Sequence, residues 1–462
     1  MTEIKFGTDG WRAILDDQFT NENVQRVTVG VVEFLKNKFA APKVVVGFDC
    51  RRGGAEFSDL VCRIFDFHGV EVISYDQPIT TPAISFAAKE LNCSLGIILT
   101  ASHNAPNYNG YKLKGGYGGP LLSDGIKEVE SLIPEKVQFN LEGYQSIITT
   151  KTDLKELYNK RVRESFDLAS INSGNLKIAY DAMYGSGQFV VKDLLPSASM
   201  FRCDWRFDFN GLSPEPILKN LGEFQEYLKQ NPGHDFALVN DGDADRIGLM
   251  DGEGNFIDSH HIMLLLLHYL YEYKGMRGKV ATGFSSTVKI TKYCKLRNLE
   301  LEIVPIGFKH ICELMVNENI LIGGEESGGI AVAGHIPERD GIWNGLVLLQ
   351  FMQETGKSLQ ELIQEIKDLV GDFAYKRIDL SLNQEVKDKI VESCKNGVFK
   401  SFSGLEVTHT DTLDGFKYYF NEDEWLLIRP SGTEPVLRTY AEGISDERVD
   451  EILKACHDEI LA

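Results

Sequence analysis

The chain has 462 residues, 43% hydrophobic and 25% charged, the balance of a soluble globular protein and too long for one ordinary core, so roughly three or four domains are expected. A net charge of −20 argues against a general affinity for nucleic acid or for an anionic membrane, although a local cluster of arginines can still hold a small anion. The eight cysteines are scattered without a Cys-x-x-Cys pair, the start Met1-Thr2-Glu3-Ile4-Lys5 lacks a signal architecture, and the longest apolar run, Ile262 to Leu267, falls far short of the roughly 20 residues of a membrane span; a reducing, cytoplasmic setting is expected.

In chain order, residues 20–39 read as a helix, with Thr20 as N-cap and Val24, Val27, Val31, Phe34 and Leu35 at helical spacing. Lys43 to Asp49 reads as a strand ending in the turn Arg51 to Gly54, residues 56–68 as a helix, and Val70 to Tyr75 as a strand. This alternation continues to about residue 370 and predicts α/β layers with largely parallel pairing. Within it one unit recurs, an apolar strand running into a polar loop: Leu95–Asn104, Phe236–Arg246, Ile320–Gly329 and, near the C-terminus, Trp425–Thr433. Four domains are read from this, each lending one loop: 1–150, 151–257, 258–370 and 371–462.

The first loop, Thr100-Ala101-Ser102-His103-Asn104, follows the buried run Leu95–Leu99, where open α/β sheets place their ligands. Ser102, with His103 beside it and Lys112 downstream, suits a hydroxyl nucleophile with a proton acceptor nearby, or a surface turn with a capping serine. The second, Asp241-Gly242-Asp243-Ala244-Asp245-Arg246, sets three carboxylates at alternate positions around a glycine, hard oxygen ligands that suit Mg²⁺. A calcium-binding helix–loop–helix needs Gly at its sixth position and Glu at its twelfth, which here are Arg246 and Gly252, so that reading fails. Three carboxylates leave coordination positions for a phosphate oxygen, which a phosphorylated Ser102 could supply, and Arg246 could balance phosphoryl charge. The third loop, Gly323-Gly324-Glu325-Glu326-Ser327-Gly328-Gly329, suits sugar hydroxyls, with Gly307-Phe308-Lys309-His310 upstream and His335 and Arg339 downstream. The fourth, Arg429-Pro430-Ser431-Gly432-Thr433-Glu434-Pro435 with Arg438 beyond, reads as an anion cradle or as a Pro/Gly turn with solvated arginines. P-loop and dinucleotide fingerprints are missing: the required glycines are Phe351 and Leu121.

Taken together, with Gly7-Thr8-Asp9-Gly10-Trp11-Arg12 near the N-terminus, these four loops resemble, in order and along the whole chain, the α-D-phosphohexomutase family of phosphoglucomutases and phosphomannomutases. The resemblance implies three similar α/β/α domains with mixed sheets and a smaller C-terminal α+β domain around a central cleft. By it, Ser102 carries the transferable phosphoryl group and, with Asp241, Asp243 and Asp245, binds one Mg²⁺; Arg12, His103, Lys112 and Arg246 serve the reacting end, Lys112 as a candidate general base. Glu325 and Ser327 grip sugar hydroxyls, Lys309 and His335 help position the sugar or its phosphate, and Arg429, Ser431, Gly432, Thr433 and Arg438 hold the non-reacting phosphate. The implied reaction moves phosphate between positions of a sugar through a phosphoserine and a bisphosphate, with glucose 1,6-bisphosphate as activator. Glu-Glu-Ser resembles the phosphoglucomutase form of the sugar loop, so glucose phosphates are the expected substrate, with dual glucose/mannose specificity as the alternative. Rival readings are a metal-dependent phosphohydrolase and a non-catalytic sugar-phosphate-binding protein. The expected partners are small sugar phosphates, with no nucleic acid and no membrane; monomer and homodimer are both open.

Overall fold

The computed structural model describes residues 3–430 and 436–461. The chain begins with β1 (Trp11–Ile14), α1 (Asn21–Lys38), β2 (Lys43–Phe48), α2 (Gly54–Phe67), β3 (Glu71–Ser74), α3 (Thr81–Glu90), β4 (Leu95–Leu99), β5 (Tyr108–Gly115), β6 (Gly119–Pro120), α4 (Ser123–Leu132) and β7 (Thr149–Lys151). The Thr20 hydroxyl caps α1 by accepting the Asn23 N–H, and Val24, Val27, Val31 and Leu35 form a fully buried stripe along it. The strands lie in the order β1-β5-β4-β2-β3-β7, with β6 beside β5. β2 runs parallel to β3 and β4, whereas β5 returns antiparallel to β4 and β1. β4 is buried at all five positions, as a central strand covered on both faces must be, and its sequence is accordingly continuous Leu, Gly and Ile rather than alternating.

There follow α5 (Leu154–Ser165), α6 (Leu168–Ile171), β8 (Ile178–Asp181), α7 (Gly187–Leu194), β9 (Ser199–Phe201), α8 (Gly222–Gln230), β10 (Phe236–Asn240), β11 (Ile247–Met250), β12 (Phe256–Ile257) and α9 (Ser259–His268). Their five strands take the order β12-β11-β10-β8-β9, with β8 parallel to β9 and β10, and β11 antiparallel to both neighbours. Next come β13 (Lys279–Gly283), α10 (Val288–Arg297) and β14 (Leu301–Val304), a parallel pair with its crossover helix. α11 (Phe308–Asn317), the antiparallel pair β15 (Ile320–Gly324) and β16 (Ile330–Val332), α12 (Gly341–Thr355) and α13 (Leu359–Val370) complete the α/β part.

The C-terminal part comprises β17 (Ala374–Ser381), α14 (Gln384–Lys395), β18 (Ser401–Phe402), β19 (Leu405–Glu406), β20 (His409–Asp411), β21 (Phe416–Tyr419), β22 (Trp425–Pro430), β23 (Val436–Gly443) and α15 (Asp446–Ile460). Its main sheet, β17-β23-β22-β21-β20, is antiparallel throughout. By Cα packing the chain gathers into two compact units, Met1–Gly278 with Gly307–Leu362, and Lys279–Ile306 with Ile363–Ala462. Within the second unit β22 is covered on both faces. Leu426 and Ile428 pack with Val449, Ile452 and Leu453 of α15, whereas Trp425 and Leu427 pack with Phe284, Val288 and Ile306.

The sheets are mixed, and antiparallel pairs fall at the motif loops. Each of the four joins an antiparallel pair, β4–β5, β10–β11, β15–β16 and β22–β23. The connections are a few residues long, too short for the crossover that a parallel return needs. Among the described residues all eight cysteines are free thiols, and no helix is long and apolar enough to cross a membrane.

Glu442 on β23 ties the second unit together: its carboxylate accepts from Thr287 Oγ1 (2.8 Å), the Val288 N–H (3.1 Å) and Trp425 Nε1 (2.7 Å). Burial pushes this carboxyl up to about 7, against an ordinary value of 4.5. A carboxyl raised on folding contributes stability that is fully present below its unfolded value and lost as pH rises through the folded one. The thermal midpoint of Glu442→Gln relative to the parent should therefore improve as pH rises from about 4.5 to about 7, a trend scanning calorimetry at several pH values would measure.

Candidate active site

The site is built where β4 ends. Ser102 adopts a left-handed backbone, φ 52°, a conformation that costs a non-glycine residue about 1–2 kcal/mol. Its N–H is held by Thr100 Oγ1 at 2.9 Å, and its hydroxyl, 1% exposed, donates to Asp241 Oδ2 at 2.6 Å. His103 Nδ1 stands 3.3 Å from the same Oγ. Serine and acid are 139 residues apart in sequence, so the contact joins the first motif loop to the second.

Asp241, Asp243 and Asp245 are completely buried, and one oxygen from each lies within 4.8 Å of the others. Gly242 is required where the two loops touch, because a Cβ there would stand 2.6 Å from the Ser102 carbonyl oxygen and 3.1 Å from Pro214. The Arg246 N–H donates to Asp241 Oδ1 (3.0 Å), and Thr81 Oγ1 to Asp243 Oδ2 (2.5 Å). Asp243 Oδ1 and Asp245 Oδ1 are buried without a hydrogen-bond partner. Two orphaned carboxylate oxygens beside a third carboxylate and a serine hydroxyl make an all-oxygen donor set, which fits a small hard cation of the Mg²⁺ kind.

Lys112 on β5 reaches the same centre. Its Nζ lies 2.7 Å from Asp243 Oδ2, 2.9 Å from Asp245 Oδ2 and 2.7 Å from Asp9 Oδ2. Burial works against its charge, but Asp243, Asp245 and Asp9 together raise its pKa above the ordinary lysine value. So placed, Lys112 is the counter-charge of three carboxylates. His103 is the opposite case. Burial, then the charges of Arg246, Arg12, Lys112 and Arg51, hold its imidazole well below the ordinary histidine range and so neutral. Burial and the neighbouring Asp243 and Asp245 push Asp241 well above the carboxylate range. Asp243 is held low, against its burial, by Lys112.

Of the other expected residues, Arg12 joins the centre by donating from Nη1 to Asn104 Oδ1 (2.8 Å), in the serine loop. Arg246 donates from Nη1 to Glu215 (2.9 Å), and its Nη2 lies 3.5 Å from His103 Nε2. Glu325, pushed up to about 7 by burial and then by Glu326, accepts the Gly307 N–H at 2.8 Å. Its loop, which carries Ser327, docks on the metal loop where Ile247 N–H donates to Gly328 O at 3.0 Å. Lys309, at the start of α11, lines a cavity of about 120 Å³ with Gly7, Thr8, Asp9 and Gly10.

His335 is placed elsewhere. Its Nε2 lies 2.9 Å from Asp340 Oδ2, and its ring stacks on Trp343 with centroids 3.7 Å apart, near Phe86 and Tyr158. Among the described residues no hydrogen bond or ion pair links it to Ser102 or the aspartates. The ring is held by an aromatic stack and a carboxylate. In the second unit, Arg429 and Arg438 face each other across β22 and β23, paired with Asp414 (3.0 Å) and Asp379 (3.7 Å). Directly opposed like charges are unfavourable in a sheet, an arrangement that an anion would relieve. Ser431, Gly432 and Thr433 lie outside the described residues.

Several partners went unassigned in the sequence. Asp9 is held well below the carboxylate range, against its burial, by Arg339, Lys112 and Lys114; Arg339 also pairs with Asp245 at 2.8 Å, and Lys114 with Glu338 at 2.7 Å. The signal was Lys112 and Lys114, two lysines on one face of a strand that is otherwise buried.

A buried serine hydroxyl on an oxygen cage with cations around it is an arrangement suited to phosphoryl transfer. The comparisons give its family. Domain models described as phosphoglucomutase/phosphomannomutase α/β/α domains I, II and III match residues 3–139, 156–254 and 258–369, and the C-terminal domain model matches 382–458. The chain therefore belongs to the phosphoglucomutase/phosphomannomutase family, with three α/β/α domains and a smaller C-terminal one. It is 28% identical to a Pyrococcus furiosus protein named "Probable phosphoglucosamine mutase", over 97% of this chain and 96% of that one. It is 26% identical to a Staphylococcus haemolyticus phosphoglucomutase, over 95% and 90%. The crystal structure of a "putative phosphomannomutase" from Thermus thermophilus shares 31% identity over 100% of both chains, with a TM-score of 0.89.

Replacing Gly242 with alanine should force the serine and aspartate loops apart. A loss of about 1–3 kcal/mol of stability is expected, with a larger proportional loss of activity, measurable by calorimetry and turnover on one preparation.

Proposed function

We propose that the protein interconverts glucose 1-phosphate and glucose 6-phosphate through phospho-Ser102 and a glucose 1,6-bisphosphate intermediate, which also acts as activator. The observation that carries this reading is the Ser102 hydroxyl on Asp241 at 2.6 Å inside a buried, all-oxygen cluster. A bound Mg²⁺, held by Ser102, Asp241, Asp243 and Asp245, would neutralise charge on the phosphoryl oxygens.

Phospho-Ser102 gives its phosphoryl group to a sugar hydroxyl: the Ser102 Oγ–P bond breaks, a sugar O–P bond forms, and the hydroxyl's proton passes to water, to be regained by the sugar oxygen that leaves in the second transfer. In the second transfer, the Ser102 hydroxyl attacks the other phosphate of the bisphosphate. Its proton passes to neutral His103 Nδ1, 3.3 Å away, and returns to Oγ when Oγ is next the leaving group. Arg12 and Arg246 flank this centre as cations for the charge on the transferring group. Lys112 and Arg339 fix the aspartates, and Glu325 and Ser327 grip sugar hydroxyls, with Lys309 beside them. The Arg429–Arg438 hairpin, with Ser431, Gly432 and Thr433, holds the second phosphate. The four-domain division at 150, 257 and 370 gives each part its own loop.

Glucose is favoured over mannose by the Glu325-Glu326-Ser327 sequence. A second reading, action on glucosamine phosphates, is favoured by relatives such as those from Pyrococcus furiosus and Latilactobacillus sakei, which carry that name.

Turnover of glucose, glucosamine and mannose 1-phosphates, compared in parallel with Mg²⁺ and a trace of the matching bisphosphate, tests the assignment. Fastest isomerisation of glucose 1-phosphate is expected; a faster glucosamine reaction would transfer the assignment to that sugar, and release of free phosphate without isomerisation would overturn it. Ser102→Ala should lower kcat by roughly 10³-fold or more. Chelation should abolish activity and Mg²⁺ restore it. Arg429→Ala should instead raise KM by about tenfold with kcat little changed, consistent with a charge-assisted grip on phosphate.

A further inference from the structure

The loop that bears Ser102, with its left-handed backbone, is gripped by the side chain of Arg51. The Arg51 guanidinium donates to four carbonyls in and just after that loop: Nη2 to Ser102 O (2.5 Å) and Asn104 O (2.6 Å), Nη1 to Ala105 O (2.9 Å) and Tyr108 O (3.2 Å). Those carbonyls turn inward over seven residues, a curl that one planar fork can satisfy and that a point charge cannot. Arg51 is itself aimed from two sides. Its Nε lies 3.3 Å from Asp49 Oδ2, both side chains fully buried, and its guanidinium carbon lies 4.9 Å from the Phe209 ring centroid.

Asp49 acts on the serine by a second route. Its Oδ2 accepts from Thr100 Oγ1 (2.5 Å), whose oxygen in turn accepts the Ser102 N–H (2.9 Å). The backbone of Ser102 is thus held at N–H and at C=O by one buried relay, Thr100–Asp49–Arg51, which itself touches neither Ser102 Oγ nor the aspartate triad. Asp49 and Arg51 lie outside every motif assigned a role above, and Thr100 belongs to the serine loop only as its first residue.

The geometry points to Arg51, with Asp49 and Thr100, as positioning residues that set the Ser102 Oγ for phosphoryl transfer. This rests on the phosphoserine reading. The relay acts on the direction of an Oγ–P bond, so its loss lowers the rate of transfer and leaves the grips on sugar and second phosphate intact.

The test compares wild type, Arg51→Lys, Thr100→Val and Thr100→Ser by mutase kinetics, thermal midpoint and crystal structure. Arg51→Lys keeps the charge but not the fork; Thr100→Val keeps the shape but not the hydroxyl, and the thermal midpoint reads what leaving Asp49 and the Ser102 N–H unpaired costs the fold. Arg51→Lys and Thr100→Val should lose about tenfold or more in kcat with KM within about twofold, Thr100→Ser should recover to within about twofold of wild type, and Ser102 should leave φ near 52° in both impaired variants. Wild-type kcat in Thr100→Val, or equal loss in Thr100→Val and Thr100→Ser, overturns the proposal. A wild type without mutase turnover is instead the failure of the functional reading, and the structures then decide this one: a left-handed Ser102 still bonded to Asp241 in both Arg51→Lys and Thr100→Val overturns it.

Discussion

The fold around Ser102 depends on burying carboxylates that repel one another. Asp241, Asp243 and Asp245 are fully buried, with one oxygen of each within 4.8 Å of the others. At an effective dielectric near 20, two unit charges at that distance repel by about 3 kcal/mol. A chain can keep such a cluster only by surrounding it with fixed cations, by protonating a member or by binding a metal. The first device is built in: Lys112 and Arg339 reach the aspartates directly, Lys114 balances Asp9 and Glu338, and Arg246 closes the Asp241 side with its backbone N–H. The second shows in Asp241, whose burial and neighbours push it towards the protonated form. Two carboxylate oxygens left without partners are where the third would act.

From this follows the use of hairpins. Four polar loops must be presented at strand ends without long connections, and an antiparallel return after β4, β10, β15 and β22 does that with a few residues each. In the serine loop the return also brings Lys112, on β5, level with Ile98 on β4, so the strand that leaves the nucleophile carries the cation that holds the acids.

Much of this was legible in the sequence, and what was not had a physical reason. The strand–loop units announced themselves because a strand covered on both faces is apolar throughout, and the aspartate loop because alternate acids after such a strand have few uses. The antiparallel returns were not legible: a strand's apolar run is the same whichever way its neighbour points. Lys112 was found, but not its three carboxylate partners, which come from residues as far away as Asp9 and Asp245. The stack of His335 on Trp343, in the first turn of α12, was likewise beyond any local pattern. Arg51 was read only as the start of a turn, because four of its hydrogen-bond acceptors are main-chain carbonyls, which no side-chain pattern encodes.

Everything in the proposed reaction turns on Ser102 as the residue that carries phosphate between two sugar positions. The most direct measurement is to incubate the purified protein with Mg²⁺ and glucose 1,6-bisphosphate, and to map phosphate by mass spectrometry of its peptides before and after adding glucose 1-phosphate or buffer alone. The predicted result is phosphate on Ser102, discharged by the sugar phosphate with formation of bisphosphate and stable in buffer. Phosphate on another residue, or its loss from Ser102 to water as fast as to sugar, would contradict that role.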